Sequence, residues 1–362
     1  MTAQTNWAAG YLSRRNGLIP GTQRAQYSLT DLAARGLLQR AQVNRMLMDS
    51  ALLNFTWHMI WADESPTPDA DLPRCVAGAD GYVVFIHGWT GSNAIWEHLP
   101  SLVVQRNPRL VSLVVDHNGF GETPFATEMP DMGHCGPLAA MRAVERWLDL
   151  LQVRRQPGDP RPRVVNFVGH SMGGAALFFL QENQWRLAEQ TRMALAPALL
   201  LHDEMHRAFY TTLGLGIGLV GRIRALQVID HVVSPSVLET LAEGATPEVK
   251  AEHARIYEVT PKSVTARTFA AMGLIEDHPV PHVWDYFRVI LGHRDRLVGL
   301  MPMLALLEEL EFNSDQVRVV MGTHYLFSVG MDMERWHSQN RAIVLHDILH
   351  LHNEALQRQR TG

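Results

Sequence analysis

Only two cysteines, Cys75 and Cys135, occur in 362 residues. Two thiols build no disulfide framework, and the expectation is a reduced chain, with one Cys75–Cys135 bridge as the alternative. Long apolar runs are also missing. GLGIGLVG (214–221) falls far short of the roughly 18 residues that span a bilayer. The opening MTAQTNWAAGYLSRR holds no apolar stretch of signal-peptide length. A soluble, cytoplasmic protein with no membrane span is expected. Positive charge is scarce: the formal net charge is −5, which gives no reason to expect a nucleic-acid or anionic-membrane partner. The sequence has no internal repeat and no G-x-x-x-x-G-K-[ST] phosphate loop, and GFGET (119–123) lacks the spacing of a dinucleotide fingerprint. No cofactor is implied.

The composition is otherwise that of a globular chain, 46% apolar and 19% charged, which excludes disordered and collagen-like classes. At roughly 100–200 residues per domain, the length allows two domains or one α/β core with an insertion. Six short apolar runs recur: YVVFIHG (82–88), LVSLVVDHNG (110–119), RVVNFVGHS (163–171), RMALAPALL (192–200), YFRVILGHRD (286–295) and QVRVVMGTH (316–324). They are continuous rather than alternating, as strands buried on both faces of a parallel sheet are. Helical patterns lie between them. Leu138, Met141, Val144, Leu148 and Leu151 follow the three- and four-residue steps of one helix face. The alternation predicts a doubly wound, mostly parallel α/β sheet.

Two regions break the pattern. Between about 202 and 285 no strand is evident, while Ser234-Pro235, Thr246-Pro247 and Thr260-Pro261 each pair a capping hydroxyl with proline in the first helical turn. This region is expected to be a helical cap. Residues 1–75 are expected to form a mainly helical extension. Ser28 to Leu53 reads as one amphipathic helix packed on the core, and 54–63 as either an early strand or the end of that helix. The expected division is 1–75 extension, 76–201 with 286–362 core, and 202–285 cap.

The chemistry concentrates at strand ends. Gly169, Ser171 and Gly173 in GHSMGG (169–174) satisfy G-x-S-x-G between a predicted strand and a predicted helix, the turn that pushes a nucleophilic hydroxyl outward. The bland alternative is a glycine-rich helix start. Ser171 needs a base, because an unactivated hydroxyl is a poor nucleophile. Residue type selects nothing among 18 histidines, but His324 ends the last strand-like run. Asp295, at the end of the fifth run, can orient that imidazole; Asp203, Glu204 and Asp116 are rival carboxylates. The amide of Met172, after the nucleophile, and that of Trp89, in the loop after the first run, are candidate oxyanion donors. Trp89, Met172, Trp96, Phe209, Tyr210, Trp284 and Tyr325 are candidates for an apolar substrate pocket. His346, His350 and His352 have metal-like spacing, but a C-terminal helix face explains them, and no metal is expected.

Taken in order, HGWTGS (87–92), DHNGFGET (116–123), GHSMGG (169–174), GHRDRLV (292–298) and GTH (322–324) resemble the landmarks of the α/β-hydrolase superfamily, in its capped serine-hydrolase branch. The resemblance covers about 80–360. It implies a mostly parallel sheet, a cap at 202–285, Ser171 as nucleophile, Asp295 as acid, His324 as base, and Trp89 and Met172 as oxyanion donors. The expected activity is esterase- or lipase-like hydrolysis of a small-molecule carboxylic ester through an acyl-enzyme. Thioester or β-diketone-type C–C cleavage and acyl transfer are alternatives on the same triad. A non-catalytic binding protein of this fold is the remaining class, and the presence of all three triad residues weighs against it.

Overall fold

A computed structural model describes residues 19–63, 79–151, 163–180, 189–199, 208, 211–212, 214–216, 242–243, 245–273, 285–326 and 334–361. The chain enters through strand β1 (Thr22–Ser28), helices α1 (Leu29–Ala34) and α2 (Arg40–Asp49), and strand β2 (Thr56–Ala62). The six apolar runs then form β3 (Gly81–Ile86), β4 (Leu110–Val115), β5 (Val164–His170), β6 (Glu189–Leu195), β7 (Phe287–Gly292) and β8 (Val317–Val320). Together they make one eight-stranded sheet in the order β1-β2-β4-β3-β5-β6-β7-β8. From β4 across to β8 all pairings are parallel, and β2 alone is reversed, antiparallel to both β1 and β4.

Burial explains the sequence pattern. Every residue of β3, β4 and β5 is buried. Tyr82, Val84 and Ile86 of β3 enter one apolar cluster, and Val83 and Phe85 enter the cluster on the opposite face. With both faces covered, alternation is lost and the runs read as continuous. The helix α3 (Leu99–Arg106), the short α4 (Met132–Cys135) and α5 (Pro137–Leu150) follow β3 and β4. Of the expected α5 face, Met141, Val144, Leu148 and the C-cap Leu151 are fully buried, and Leu138 is partly so.

The mainly helical reading of residues 1–75 is corrected over its described part. β1 and β2 extend the sheet, with Thr22 opposite Ala62 and Ser28 opposite Thr56. The sequence TQRAQYS is mostly polar because β1 is an edge strand with half-exposed positions, so it lacks the apolar signature of a strand. The single helix expected over 28–53 is two. Ser28 caps α1 by accepting from the Asp31 amide at 3.2 Å. Gly36, at φ +75°, takes the left-handed turn that separates α1 from α2.

After β5 come α6 (Met172–Ala176), and between β6 and β7 the helices α7 (Pro247–Val259) and α8 (Lys262–Gly273). Thr246 caps α7 through Val249 N at 3.2 Å, as its pairing with Pro247 predicts. Pro261 accepts from Thr265 N at 3.0 Å in the first turn of α8. The expected start at Ser234-Pro235 lies outside the described residues. α9 (Leu300–Glu309) and the long α10 (Glu334–Thr361) complete the chain. Val344, Ile348, Leu351 and Ala355 form the buried stripe of α10. No helix among the described residues is long and apolar enough to cross a membrane.

Candidate active site

The turn between β5 and α6 holds Ser171 at φ 54°, ψ −117°, a conformation that costs a non-glycine residue and persists only when its surroundings enforce it. Three backbone bonds do so. Ser171 N donates to Leu195 O at 2.9 Å, and Ser171 O accepts from Ala175 N at 2.9 Å and Ala198 N at 3.0 Å. Bulk is excluded on both sides of the turn. A Cβ on Gly169 would stand 2.3 Å from Gly173 O, and one on Gly173 would stand 2.3 Å from Ile86 O. The glycines of GHSMGG are thus demanded by backbone approaching backbone.

Ser171 Oγ lies 2.9 Å from His324 Nε2, and His324 Nδ1 lies 2.9 Å from Asp295 Oδ2. All three residues are buried. The carboxylate can only accept, so the Nδ1–H of His324 donates to it and Nε2 is left to accept from the Ser171 hydroxyl. Asp295 Oδ1 accepts from Leu297 N at 2.9 Å and Val298 N at 3.0 Å. Burial pushes the Asp295 carboxyl upward, but the neighbouring His324, its hydrogen bond and these two amides outweigh it and hold the carboxyl below its ordinary range.

The rival carboxylate Asp116 is committed elsewhere. It accepts from Asn93 N at 2.5 Å, Asn93 Nδ2 at 3.1 Å and Glu122 N at 3.0 Å, tying the loops after β3 and β4 together. Burial raises it to about 6 against those bonds. Asp203 and Glu204 lie outside the described residues.

The loop after β3 packs directly on the nucleophile turn: a Cβ on Gly88 would stand 2.8 Å from Ser171 Cβ. Trp89 follows in that loop and lines the same pocket as Ser171, and Met172, the residue after Ser171, opens α6. The Trp89 ring stands between the sheet and the α7–α8 pair. Its Nε1 donates to Thr265 O at 3.0 Å, and it packs on Phe269 at 4.6 Å between centroids. The Met172 side chain instead turns to Asn118, whose Nδ2 is 3.3 Å from its sulfur.

Gly88, Trp89, His170, Ser171, His253, Met272, Leu297 and His324 line a pocket of ≈ 10 Å³, room for about one water. Two proposed pocket aromatics are not part of it. Trp96 is buried in the core against Phe85, with ring centroids 5.1 Å apart. Tyr325 is buried and spends its hydroxyl on Ile95 O. Both expectations are corrected: an aromatic beside a site fills core as readily as pocket, and here the far face of the sheet claims them. Phe209, Tyr210, Trp284 and Cys75 lie outside the described residues, and Cys135 is a buried free thiol.

Two histidines on the pocket wall escaped the sequence reading. His170 is the variable position of the pentapeptide, and its Nε2 donates to His324 O at 3.0 Å. His253 sits on α7 and faces Thr90 Oγ1 through Nδ1 at 3.1 Å. Its signal was available, since Val249, His253, Ile256 and Tyr257 share one helical face. Burial, the largest effect on each, keeps both neutral, His170 at about 3 and His253 at about 4. In the C-terminal helix, His346 and His350 stack 5.8 Å apart, and His352 meets Asn166 at 3.2 Å. Among the described residues no three potential ligands gather as a metal site.

The sequence profile of the alpha/beta hydrolase family matches residues 83–335. Similar solved structures include potato (Solanum tuberosum) epoxide hydrolase I, 15% identical, covering 82% of this chain and 95% of its own, with a TM-score of 0.52. An esterase from Exiguobacterium antarcticum is 13% identical over 82% of this chain and 97% of its own, at 0.52. The peroxisomal alpha-beta-hydrolase Lpx1 of Saccharomyces cerevisiae is 14% identical over 90% of each chain, at 0.50. At these identities the likeness is one of fold. No curated protein matches the sequence.

Proposed function

The chain belongs to the alpha/beta hydrolase family, and we propose that within it the protein is a serine hydrolase of carboxylic esters. The observation that carries this reading is the continuous relay from Ser171 Oγ through His324 to Asp295, with 2.9 Å at each step, on a turn that holds the Ser171 backbone in a strained conformation. Ser171 Oγ attacks the ester carbonyl as His324 Nε2 takes its proton. Asp295 stabilises the imidazolium that forms. The amides of Trp89 and Met172 receive the oxyanion. His324 then gives its proton to the departing alcohol, leaving an acyl-Ser171 ester. Water attacks that ester, again through His324, and the acid leaves.

The solved relatives include epoxide hydrolases and an esterase. Haloalkane or epoxide chemistry on an aspartate nucleophile is disfavoured because serine occupies the turn. The pair α7–α8 stands over the pocket through His253 and Met272, which supports the role of the 202–285 insertion as a cap that selects substrate.

The test is a fluorophosphonate probe followed by a substrate panel. A single label is expected at Ser171. p-Nitrophenyl esters of graded chain length, run beside thioesters and β-diketones, are expected to be turned over in preference to the other two classes. Labelling of a different serine with Ser171 untouched would overturn the assignment. Preferential turnover of a β-diketone or thioester would keep the relay and replace the substrate class.

A further inference from the structure

Besides the relay, two imidazoles on the pocket wall keep an unpartnered nitrogen: His170 Nδ1 is sealed beneath Gly88, where a Cβ would stand 3.4 Å from it, and His253 is the other. Thr90 Oγ1 lies 2.8 Å from Trp89 O and 3.1 Å from His253 Nδ1. A carbonyl can only accept, so the hydroxyl proton goes to Trp89 O and the Thr90 oxygen accepts the Nδ1–H of His253. That fixes the tautomer: Nε2 of His253 carries a lone pair. No partner for Nε2 is found among the described residues, and His253 lines the pocket with Ser171. Its other neighbours on that wall, Trp89, Met272 and Leu297, offer apolar surface. The ring therefore presents an acceptor to the pocket on the wall that carries Trp89, Met272 and Leu297.

Resting on the serine-hydrolase reading, we infer that His253 is a specificity-determining residue, accepting a hydrogen bond from a hydroxyl or N–H carried by the substrate next to its reacting carbonyl. The adjacency follows from size. The free space shared by Ser171 and His253 holds about one water, ≈ 10 Å³. Because Ser171 and His253 line the same small pocket, a group that reaches Nε2 while its carbonyl stands at Ser171 lies close to the reacting carbon. Either the acyl chain or the first carbons of the alcohol can carry it. The neutral state that burial enforces on His253 suits a neutral donor and gives no attraction for an anion. A substrate lacking the donor covers Nε2 and leaves the acceptor unpaired, and discrimination arises from that loss more than from the bond itself.

The experiment uses matched ester pairs on the full chain. The acyl arm compares p-nitrophenyl 2-hydroxybutyrate with p-nitrophenyl butyrate. The alcohol arm compares 2-hydroxyethyl butyrate with propyl butyrate, followed by pH-stat. The readout is the ratio of kcat/KM, hydroxylated over plain, corrected for the hydroxide-catalysed rates. In at least one arm the wild-type ratio is expected to be on the order of tenfold. His253→Phe is expected to bring it to about one. His253→Gln, which keeps an acceptor oxygen, is expected to retain part of it. Breaking the Thr90 contact harms both members of a pair alike, so the ratio isolates the donor contact.

A wild-type ratio near or below one in both arms overturns the inference without any variant. So does His253→Phe if it lowers kcat for both members equally, the result expected if His253 only holds the hydrolytic water or the loop. Turnover of all esters without preference defeats this inference and leaves the hydrolase reading standing. Absence of both turnover and Ser171 labelling defeats both.

Discussion

Ser171 occupies backbone space that costs about 1–3 kcal/mol for a residue with a side chain, and its three backbone bonds to Leu195, Ala175 and Ala198 hold it there. Among the described residues the hydroxyl contacts His324. Ser171→Ala is therefore expected to fold with a midpoint within about 0.5 kcal/mol of wild type, to lose probe labelling, and to lose several orders of magnitude in kcat. Denaturant titration beside the ester assay checks both halves. Gly173→Ala should do the opposite. Its new Cβ would stand 2.3 Å from Ile86 O and 2.5 Å from His87 O; these are backbone atoms that cannot step aside. A loss of at least about 2 kcal/mol is expected, and a variant as stable as wild type would show that the turn relaxes freely. Asp295→Asn keeps shape but can donate to His324 Nδ1, which favours the wrong tautomer. In a comparable triad that exchange costs about 10⁴ in kcat, and a similar loss is expected on a small ester. A nearly silent Asp295→Asn would move the acid role to another carboxylate.

The loop of residues 87–92 belongs to the sheet by sequence and to the helices above it by its hydrogen bonds. Trp89 Nε1 bonds Thr265 O at 3.0 Å, Thr90 meets His253 at 3.1 Å, and Ser92 Oγ donates to Glu252 Oε1 at 2.6 Å. Arg255 holds the Glu252 carboxylate with two bonds of 2.7 and 2.8 Å. Any displacement of α7 and α8 must break these contacts, so the position of the pair is coupled to the loop that carries Trp89 N. Ser92→Ala removes the shortest of them, a charge-assisted bond. Its loss is expected to speed amide exchange in α7 about tenfold while leaving β3 and β5 protected. Unchanged exchange in α7 would show that loop and helix move independently. This scale also shows what the sequence could tell. The six inner strands were legible because burial on both faces writes an unbroken apolar run. The relay was legible because serine, aspartate and histidine stand at the ends of three such runs. β1 was not, since an edge strand bearing Gln23, Arg24 and Gln26 has no apolar signature. His253 was passed over because a buried histidine on a helix face looks like core until Thr90 is seen against it. Trp96 and Tyr325 failed as pocket residues because an aromatic ring gives no sign of which side of a sheet it will fill.

Across the whole molecule, histidine burial sets the response to acid. Six histidines, His58, His87, His117, His170, His253 and His352, are held below their ordinary value, each chiefly by burial. His58 and His170 fall to about 3, and His117, His253 and His352 to about 4. They join separate parts of the fold: His58 faces Arg24 across β1 and β2, His87 and His117 bridge the loops after β3 and β4, and His352 ties α10 to β5. In the unfolded chain such groups bind protons below about pH 6.5. The native state does not take them up until much lower pH. Between these limits the unfolded state holds more protons, so stability falls as pH falls. Each histidine contributes up to about 1.4 kcal/mol per pH unit to that slope. Asp116 acts in the other direction, since a carboxyl raised to about 6 binds its proton in the native state first, offsetting one histidine between about pH 6 and 4. Asp295, held below its ordinary range, stabilises the fold fully above about pH 3.9 and adds to the loss only below that. The denaturant midpoint is therefore expected to drop steeply from pH 6.5 to 4.5, before ordinary carboxylates titrate. His352→Phe removes one titrating ring away from the pocket and is expected to flatten the slope by about 1.4 kcal/mol per pH unit, whatever it does to the midpoint at pH 7. A midpoint constant down to pH 4.5 would mean that these rings take up protons in the native state, and that the polar atoms around them reorganise to accept the charge.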